Sequence, residues 1–239
     1  MEINAQQLDF ETLNRKIKDA PAHDVHITNV LGQRYIGSGV QHKKLTISGI
    51  PGNALGAYLH TTDITVFGNA QDAVGDTMND GTIIVHGNAG DTVGYAMRGG
   101  KILIRGNAGF RVGIHMKEYG EQVPVIVVGG KTGDFLGEYQ AGGIILVLGA
   151  GLTGPLIGNF SATGMHNGKI YVRGTCVPSD LPPQVNVVQN ADKTPVLPLI
   201  DEYCRTFGAD RHALLDDEYF MLAPSETNIY RRLYCNRNH

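Results

Sequence analysis

A unit of about nineteen residues repeats through the middle of this 239-residue chain, and no other feature restricts the fold as strongly. The stretch "TVFGNAQDAVGDTMNDGTIIVHGNAGDTVGYAMRGGKILIRGNAGFRVGIHM" runs three times through an aliphatic segment, Gly-Asn-Ala, an aliphatic-Gly pair and a methionine. The glycines that close the aliphatic runs are Gly49, Gly68, Gly87, Gly106, Gly129, Gly149 and Gly174, separated by 19, 19, 19, 23, 20 and 25 residues. A second glycine follows within each unit, at Gly56, Gly75, Gly94, Gly113, Gly137 and Gly158. These positions account for much of an unusual total of 32 glycines, about twice the ordinary share.

The side chains between the glycines keep step with them. Two positions before each closing glycine stand Ile47, Val66, Val85, Ile104, Val127, Val147 and Val172; four before it stand Leu45, Ile64, Ile83, Ile102, Val125, Ile145 and Ile170. The residue directly before it is mixed in type (Phe67, His86, Arg105, Arg173), so the pattern alternates as a half-buried strand requires. Val85 therefore reads as inward and His86 as outward, and the column of His86, Arg105 and Arg173 reads as a solvated face. A third ladder, Leu55, Val74, Val93, Val112, Leu136 and Ile157, precedes the second glycines, and Met78, Met97 and Met116 follow them as a soft core stripe. Asn69, Asn88 and Asn107 recur at one corner, where Asn tolerates a left-handed backbone and bonds its neighbours.

A nineteen-residue unit cannot bury its own apolar face, but stacked units can. The expected fold is all-β: a single-stranded solenoid, the right-handed parallel β-helix, with two or three short strands in each of about seven coils and a column of roughly 30 Å at ordinary strand spacing. Residues 25–174 form the helix. Residues 1–24 form an N-terminal helical cap in which Asp9 caps a short helix with Phe10, Leu13 and Ile17 on one face. Residues 175–239 form a proline-containing wrap and a C-terminal helical cap, with helical patterns in "LPLIDEYCRTFG" and "DRHALLDDEYF", and the whole is one domain.

A formal charge of −3 excludes a nucleic-acid footprint. The start "MEINAQQLDF" is not a signal peptide and no run is long enough to span a membrane, so the chain reads as cytoplasmic. Cys176, Cys204 and Cys235 form no C-x-x-C pair, consistent with a reducing compartment and with no cluster site. "GNAGDTVG" lacks the Lys-Ser/Thr ending of a phosphate loop and recurs as a corner. His23 and His26 have no third partner nearby for a metal and read as surface residues. Asp72, Asp76, Asp91 and Asp134 raise a stand-alone carbohydrate-active β-helix as an alternative. Such an enzyme needs an aromatic cleft, and this chain has no tryptophan and only 7% aromatic residues.

The run from "SGIPGNALGAYL" through "GGIILVLG", with "INAQQLDFETLNRKIKDA", "ATGMHNGKIYVRG", "EYCRTFG" and "LAPSETNIYRRLY" around it, closely resembles the GXGXG domain of glutamate synthase, in its stand-alone form. A related β-helix occurs as the C component of formylmethanofuran dehydrogenase. The resemblance spans nearly the whole chain; the ending "SETNIYRRLYCNRNH" departs from the Pro-Tyr-containing ending of the family. It implies a non-catalytic structural subunit, with nitrogen metabolism and glutamate biosynthesis as the setting. Its partners would be a glutaminase-type amidotransferase and an FMN-containing glutamate synthase subunit, which it positions for ammonia transfer to 2-oxoglutarate. FMN and an iron-sulfur cluster are expected on the partner, and no cofactor, metal or catalytic residue on this chain. A subunit of a formylmethanofuran dehydrogenase-like complex is the alternative, and a homo-oligomer remains open.

The lengthened repeats point to where partners touch. "HMKEYGEQVP" (115–124) and "NFSATGMHNG" (159–168) exceed the nineteen-residue period and must leave the column as loops. The candidate interface residues they carry are Lys117, Glu118, Tyr119, Glu121, Phe160, Met165 and His166. A tolerated insertion is the competing reading for each loop.

Overall fold

The fold is a computed structural model and describes residues 1–225. The tail in which the ending departs from the family, residues 226–239 with Cys235, lies outside the described residues. In chain order the elements are β1 (Glu2–Asn4), α1 (Phe10–Asp19), β2 (Asp24–Leu31), β3 (Lys44–Ile50), β4 (Asp63–Phe67), β5 (Thr82–Val85) and β6 (Lys101–Ile104). Then follow β7 (Val125–Val128), β8 (Ala141–Val147), β9 (Asn167–Arg173), β10 (Val185–Val188), α2 (Leu197–Phe207), α3 (Arg211–Asp216) and β11 (Tyr219–Pro224). All eleven strands belong to one sheet, ordered β1 to β9 and then β11 and β10. Pairing is parallel from β1 to β9 and antiparallel from there on.

Each repeat from β3 onward supplies one strand, not two or three, and crosses the rest of its path as corners bonded to the repeats on either side. Ile47, Val66, Val85 and Ile104 pair in register, as do Leu45, Ile64, Ile83 and Ile102, and all eight are fully buried. The interior they line is continuous with the ladder of Leu55, Val74, Val93, Val112 and Leu136 and with the buried Met78, Met97 and Met116. At about 25 cal/mol per Å² of apolar surface, burying this column is the dominant favourable contribution to the fold.

The register of the fifth repeat differs from the sequence reading by one residue. Ile102 and Ile104 pair with Ile126 and Val128, and these in turn with Ile145 and Val147. Val125 and Val127 point outward instead, and the glycine in step with Gly106 is Gly130, not Gly129. A one-residue slip exchanges the two faces of a strand, and "VPVIVVGG" is apolar on both.

The termini also differ from simple caps. Asp9 accepts from the Thr12 N–H at 2.7 Å and starts α1, which buries Leu13 and Ile17 against the first repeat. At the other end the helical pattern of residues 210–220 stops at Asp216. The chain then becomes β11, which pairs with β9 and with β10 and lengthens the sheet. Helix α2 lies on the outer face of the sheet, where Ile200 and Tyr203 pack with Leu103, Val127, Leu146 and Tyr171 in a second core.

Candidate partner interface

The repeated glycines have two separate physical causes. Gly56, Gly75, Gly94, Gly113 and Gly137 have φ between +65° and +71°. A Cβ at Gly56 would also lie 2.6 Å from Cδ1 of Ile83. Only glycine meets both conditions without strain. The residue on either side two places away is left-handed as well, for example Ala54 (φ 62°) and Tyr58 (φ 56°), or Arg111 (56°) and His115 (55°). Their N–H groups bond forward while that of the glycine bonds back: Ala54 to Asp72 O at 2.9 Å, and Gly75 to Leu55 O at 2.8 Å. In the last repeat the position belongs to Ala162 (φ 60°), whose N–H bonds Leu136 O at 2.7 Å. Gly158, assigned to it from the sequence, stands instead in the series of Gly90, Gly109 and Gly133. Ile157 leaves the third ladder likewise, and the buried Ser161 takes that place.

The other glycines make room for a side chain of the repeat before. Asn69 Oδ1 accepts the Asn88 N–H at 2.8 Å, Asn88 Oδ1 that of Asn107 at 2.8 Å, and Asn107 Oδ1 that of Lys131 at 2.9 Å. A Cβ on Gly87, Gly106 or Gly130 would strike those same oxygens. The asparagines are thus clamps; none of the three has a positive φ, so the left-handed reading of this corner is corrected. Asp72, Asp91 and Asp134 do the same one corner later, to Asp91, Phe110 and Asn159 N–H at 2.9, 2.8 and 2.8 Å. Corner N–H groups that would serve a phosphate are occupied by these clamps. Among the described residues no group of three His, Cys, Asp or Glu is arranged to hold a metal, and His23 simply meets Asp24 at 2.9 Å.

The two predicted loops have different fates. Residues 117–122 form a tight hairpin closed by Tyr119 N–H to Gln122 O (3.2 Å) and Gln122 N–H to Tyr119 O (3.1 Å). It folds back along the repeats so that Tyr119, Gly120 and Gln122 border an open groove of about 590 Å³ with Gln41, Tyr58, His60 and Asn79. Lys117, Tyr119 and Glu121 are exposed, whereas Glu118 is half-buried and its Oε1 accepts the Gly143 N–H at 2.9 Å. In the second loop Phe160 is 51% exposed and His166 half-buried, its pKa lowered by burial. Met165 is fully buried in the core with Met78, Met97 and Met116, so it cannot be an interface residue. Between Met116 and Met165 the stripe carries Gln140, also fully buried. Its Nε2 donates to Gly142 O and Gly143 O at 3.1 Å each, where β8 bulges.

Two further surfaces escaped the sequence reading. Aromatic rings cluster where the left-handed corners of the later repeats stack: His115 on Tyr139 (5.1 Å), Tyr95 edge-on to His115 (6.0 Å), and Phe135 on Phe160 (5.2 Å). Arg111 lies over Phe135 at 4.9 Å and meets Glu138 at 3.0 Å. His115 and Tyr139 stand two places after their corner glycines, and Arg111, Phe135 and Phe160 two places before the central left-handed residue, but the residue type at these positions changes from repeat to repeat, so no recurring residue marks them as one surface. The supposedly solvated column is the second. His86 is stacked on Phe67 (4.6 Å) and edge-on to Phe207 of α2 (5.2 Å), and burial, then Arg105, lowers its pKa. Arg105 is exposed, but Arg173 is half-buried, bound to Leu148 O, Gly149 O and Asp217 and to Leu152 O at 2.8 Å. Tyr203 of α2 donates to Arg105 O at 3.0 Å, and burial pushes its pKa up to about 12.

The family model described as the GXGXG motif matches residues 7–225, which include all the glycine ladders just described. The chain belongs to the GXGXG motif family. A relative of this GXGXG chain is an uncharacterized protein of Methanocaldococcus jannaschii, 40% identical over 97% of this chain and 95% of its own length. A structural relative is a chain of the formyltransferase/hydrolase complex FhcABCD from Methylorubrum extorquens, solved in complex with methylofuran. The TM-score is 0.63 and the identity 23%, over 82% of this chain and 71% of that one. At that identity the likeness establishes a shared fold. The GXGXG fold is thus found within a multi-subunit assembly, and among the described residues of this chain no helix is long and apolar enough to cross a membrane.

Proposed function

We propose that this GXGXG chain is a non-catalytic structural subunit of a multi-subunit enzyme, a right-handed parallel β-helix of about seven coils that holds catalytic partners in fixed relation. The observation that carries the reading is the fate of the repeated polar corners. Their Asn and Asp oxygens and the N–H groups opposite them clamp one repeat to the next, while the interior is filled by aliphatic and methionine side chains. A repeat so spent on its own cohesion suits a rigid spacer, with contacts on the corners and flanking segments.

Of the two assemblies open to such a subunit, a formylmethanofuran dehydrogenase-like complex has the support of a structural relative from a formyltransferase/hydrolase complex. A glutamate synthase-type complex, with glutaminase and FMN-bearing partners, has the support of the motif resemblance along nearly the whole chain. Affinity purification of the tagged chain from its native host, with mass spectrometry of what copurifies in stoichiometric amount, separates them. Molybdenum or tungsten enzyme subunits and a formyltransferase favour the first; a glutaminase with an FMN and iron-sulfur protein favours the second. A chain that purifies without any stoichiometric partner refutes the scaffold role.

A further inference from the structure

The aromatic face of the later repeats has the makeup of a docking surface. Phe110, Tyr139 and Phe160 are 48, 44 and 51% exposed although each is large and apolar in body. Their neighbours hold them in place: Phe160 stacks on Phe135, and Tyr139 on His115, with its ring also against Gly164. Exposed aromatic groups gathered on one face mark interaction sites, and aromatic residues with arginine dominate binding energy at such sites. Rings already fixed by stacking lose little freedom when covered.

Charge selects the occupant. Arg111, the base within the face, is held by Glu138 at 3.0 Å. Carboxylates accompany the rings: Asp91 accepts the Phe110 N–H at 2.8 Å, with Asp72 one repeat before it in the same column, Asp134 is next to Phe135 in the chain, and Asp180 accepts the Phe160 N–H at 2.6 Å. Lys131 and Lys117 stand on adjoining corners. A second copy of this chain would bring the same carboxylates to the contact and no row of bases to meet them, and like charges brought together oppose association. We propose that this face docks a different polypeptide, one that presents an apolar or aromatic ridge bordered by lysine or arginine. The inference rests on the scaffold reading and deepens it by naming the contact and the chemistry of the partner.

The test uses the complex as isolated from the native host. The photo-crosslinking amino acid p-benzoylphenylalanine replaces Phe110 in one strain and Phe160 in another. The expected result is that both attach to one copurifying polypeptide, at a segment rich in apolar residues with lysine or arginine beside it. In reconstitution, Phe110→Ser with Phe160→Ser should weaken binding to that polypeptide at least about tenfold, while Lys44→Glu on the outer sheet face leaves it unchanged. Circular dichroism of the double variant should match the parent, because both rings are half-exposed. Crosslinks to a second copy of the chain, or a double variant that assembles like the parent, would overturn the proposal and leave the scaffold role standing. Absence of any stoichiometric partner would overturn both.

Discussion

Left-handed backbone at residues other than glycine is the most unusual local property of the chain. Thr92, with φ 56°, is a β-branched residue in a conformation that costs roughly 1–2 kcal/mol and that such residues rarely adopt. It persists because its N–H reaches Phe110 O at 2.7 Å, the bond that joins its repeat to the next. Thr92→Gly keeps that bond and removes the strain, at the cost of a freer unfolded chain. We expect a net gain of about 0.5–1 kcal/mol, read as a higher denaturation midpoint; a lower midpoint would show that the strain is not stored there. Gln140 makes the opposite case. Methionine at that position would match its neighbours Met116 and Met165 in the stripe, yet Gln140→Met should destabilise by about 1–3 kcal/mol, because Gly142 O and Gly143 O lose their donor in a buried place. An unchanged melting temperature would mean that the two carbonyls find other partners.

Helix α2 and the hairpin at 117–122 are the elements whose attachment can be tested. His86 reaches Phe207 of α2, and its pKa is lowered from 6.5 chiefly by burial. A histidine with a lowered folded-state pKa is neutral in both states at pH 7.5, so it contributes no pH dependence there. As pH falls below about 6.5 the unfolded chain takes up the proton first and stability declines until the folded pKa is passed. Melting temperature should therefore fall between pH 7 and pH 5, and His86→Gln should flatten the slope; the remainder of that sign includes His166, also lowered by burial. An identical slope in the variant would assign the effect elsewhere. In the hairpin, Glu118 and the tip have separate jobs. Replacing residues 119–122 by a two-residue turn should leave the circular dichroism and melting temperature close to those of the parent. Glu118→Ala should cost about 1–3 kcal/mol, since it orphans the half-covered Gly143 N–H. Equal stability of the two variants would refute this division.

On the scale of the whole molecule, the sheet grows by one strand per repeat and is finished at both ends by short strands. β1 has three residues and β10 four, which limits the unpaired edge open to aggregation. The outer face is treated unevenly: α2 covers it over β6 to β9, while Thr28, Thr46 and Thr65 on β2 to β4 stay partly open to solvent. A subunit that serves only as a scaffold carries no flavin and no nucleophile of its own. The purified chain should be colourless, bind no FMN and show neither glutaminase nor glutamate-forming activity. A stoichiometric flavin in the pure protein would refute the scaffold role.

Periodicity was legible in the sequence wherever one physical demand acts once per repeat. Each strand needs aliphatic side chains inward, each left-handed corner needs a glycine that clears the isoleucine ahead, and each Gly-Asn pair needs an oxygen fitted under the next glycine. Those demands leave the same residues at the same spacing, so the β architecture, the buried ladders and the start of α1 could be read directly. Contacts between distant segments leave no such spacing. Val125 to Val128 is apolar on both sides because α2, more than seventy residues later, covers the outside, and that cover hid the register of the fifth repeat. Contact with α2 likewise put His86 between Phe67 and Phe207, the shifted register of the last repeat withdrew Met165 into the core, and the face of Phe110, Arg111, Phe135, Tyr139 and Phe160 occupies repeat positions whose residue type changes from one repeat to the next. Each of those outcomes depends on which residue of another repeat or element lies alongside, and only the tertiary structure decides that.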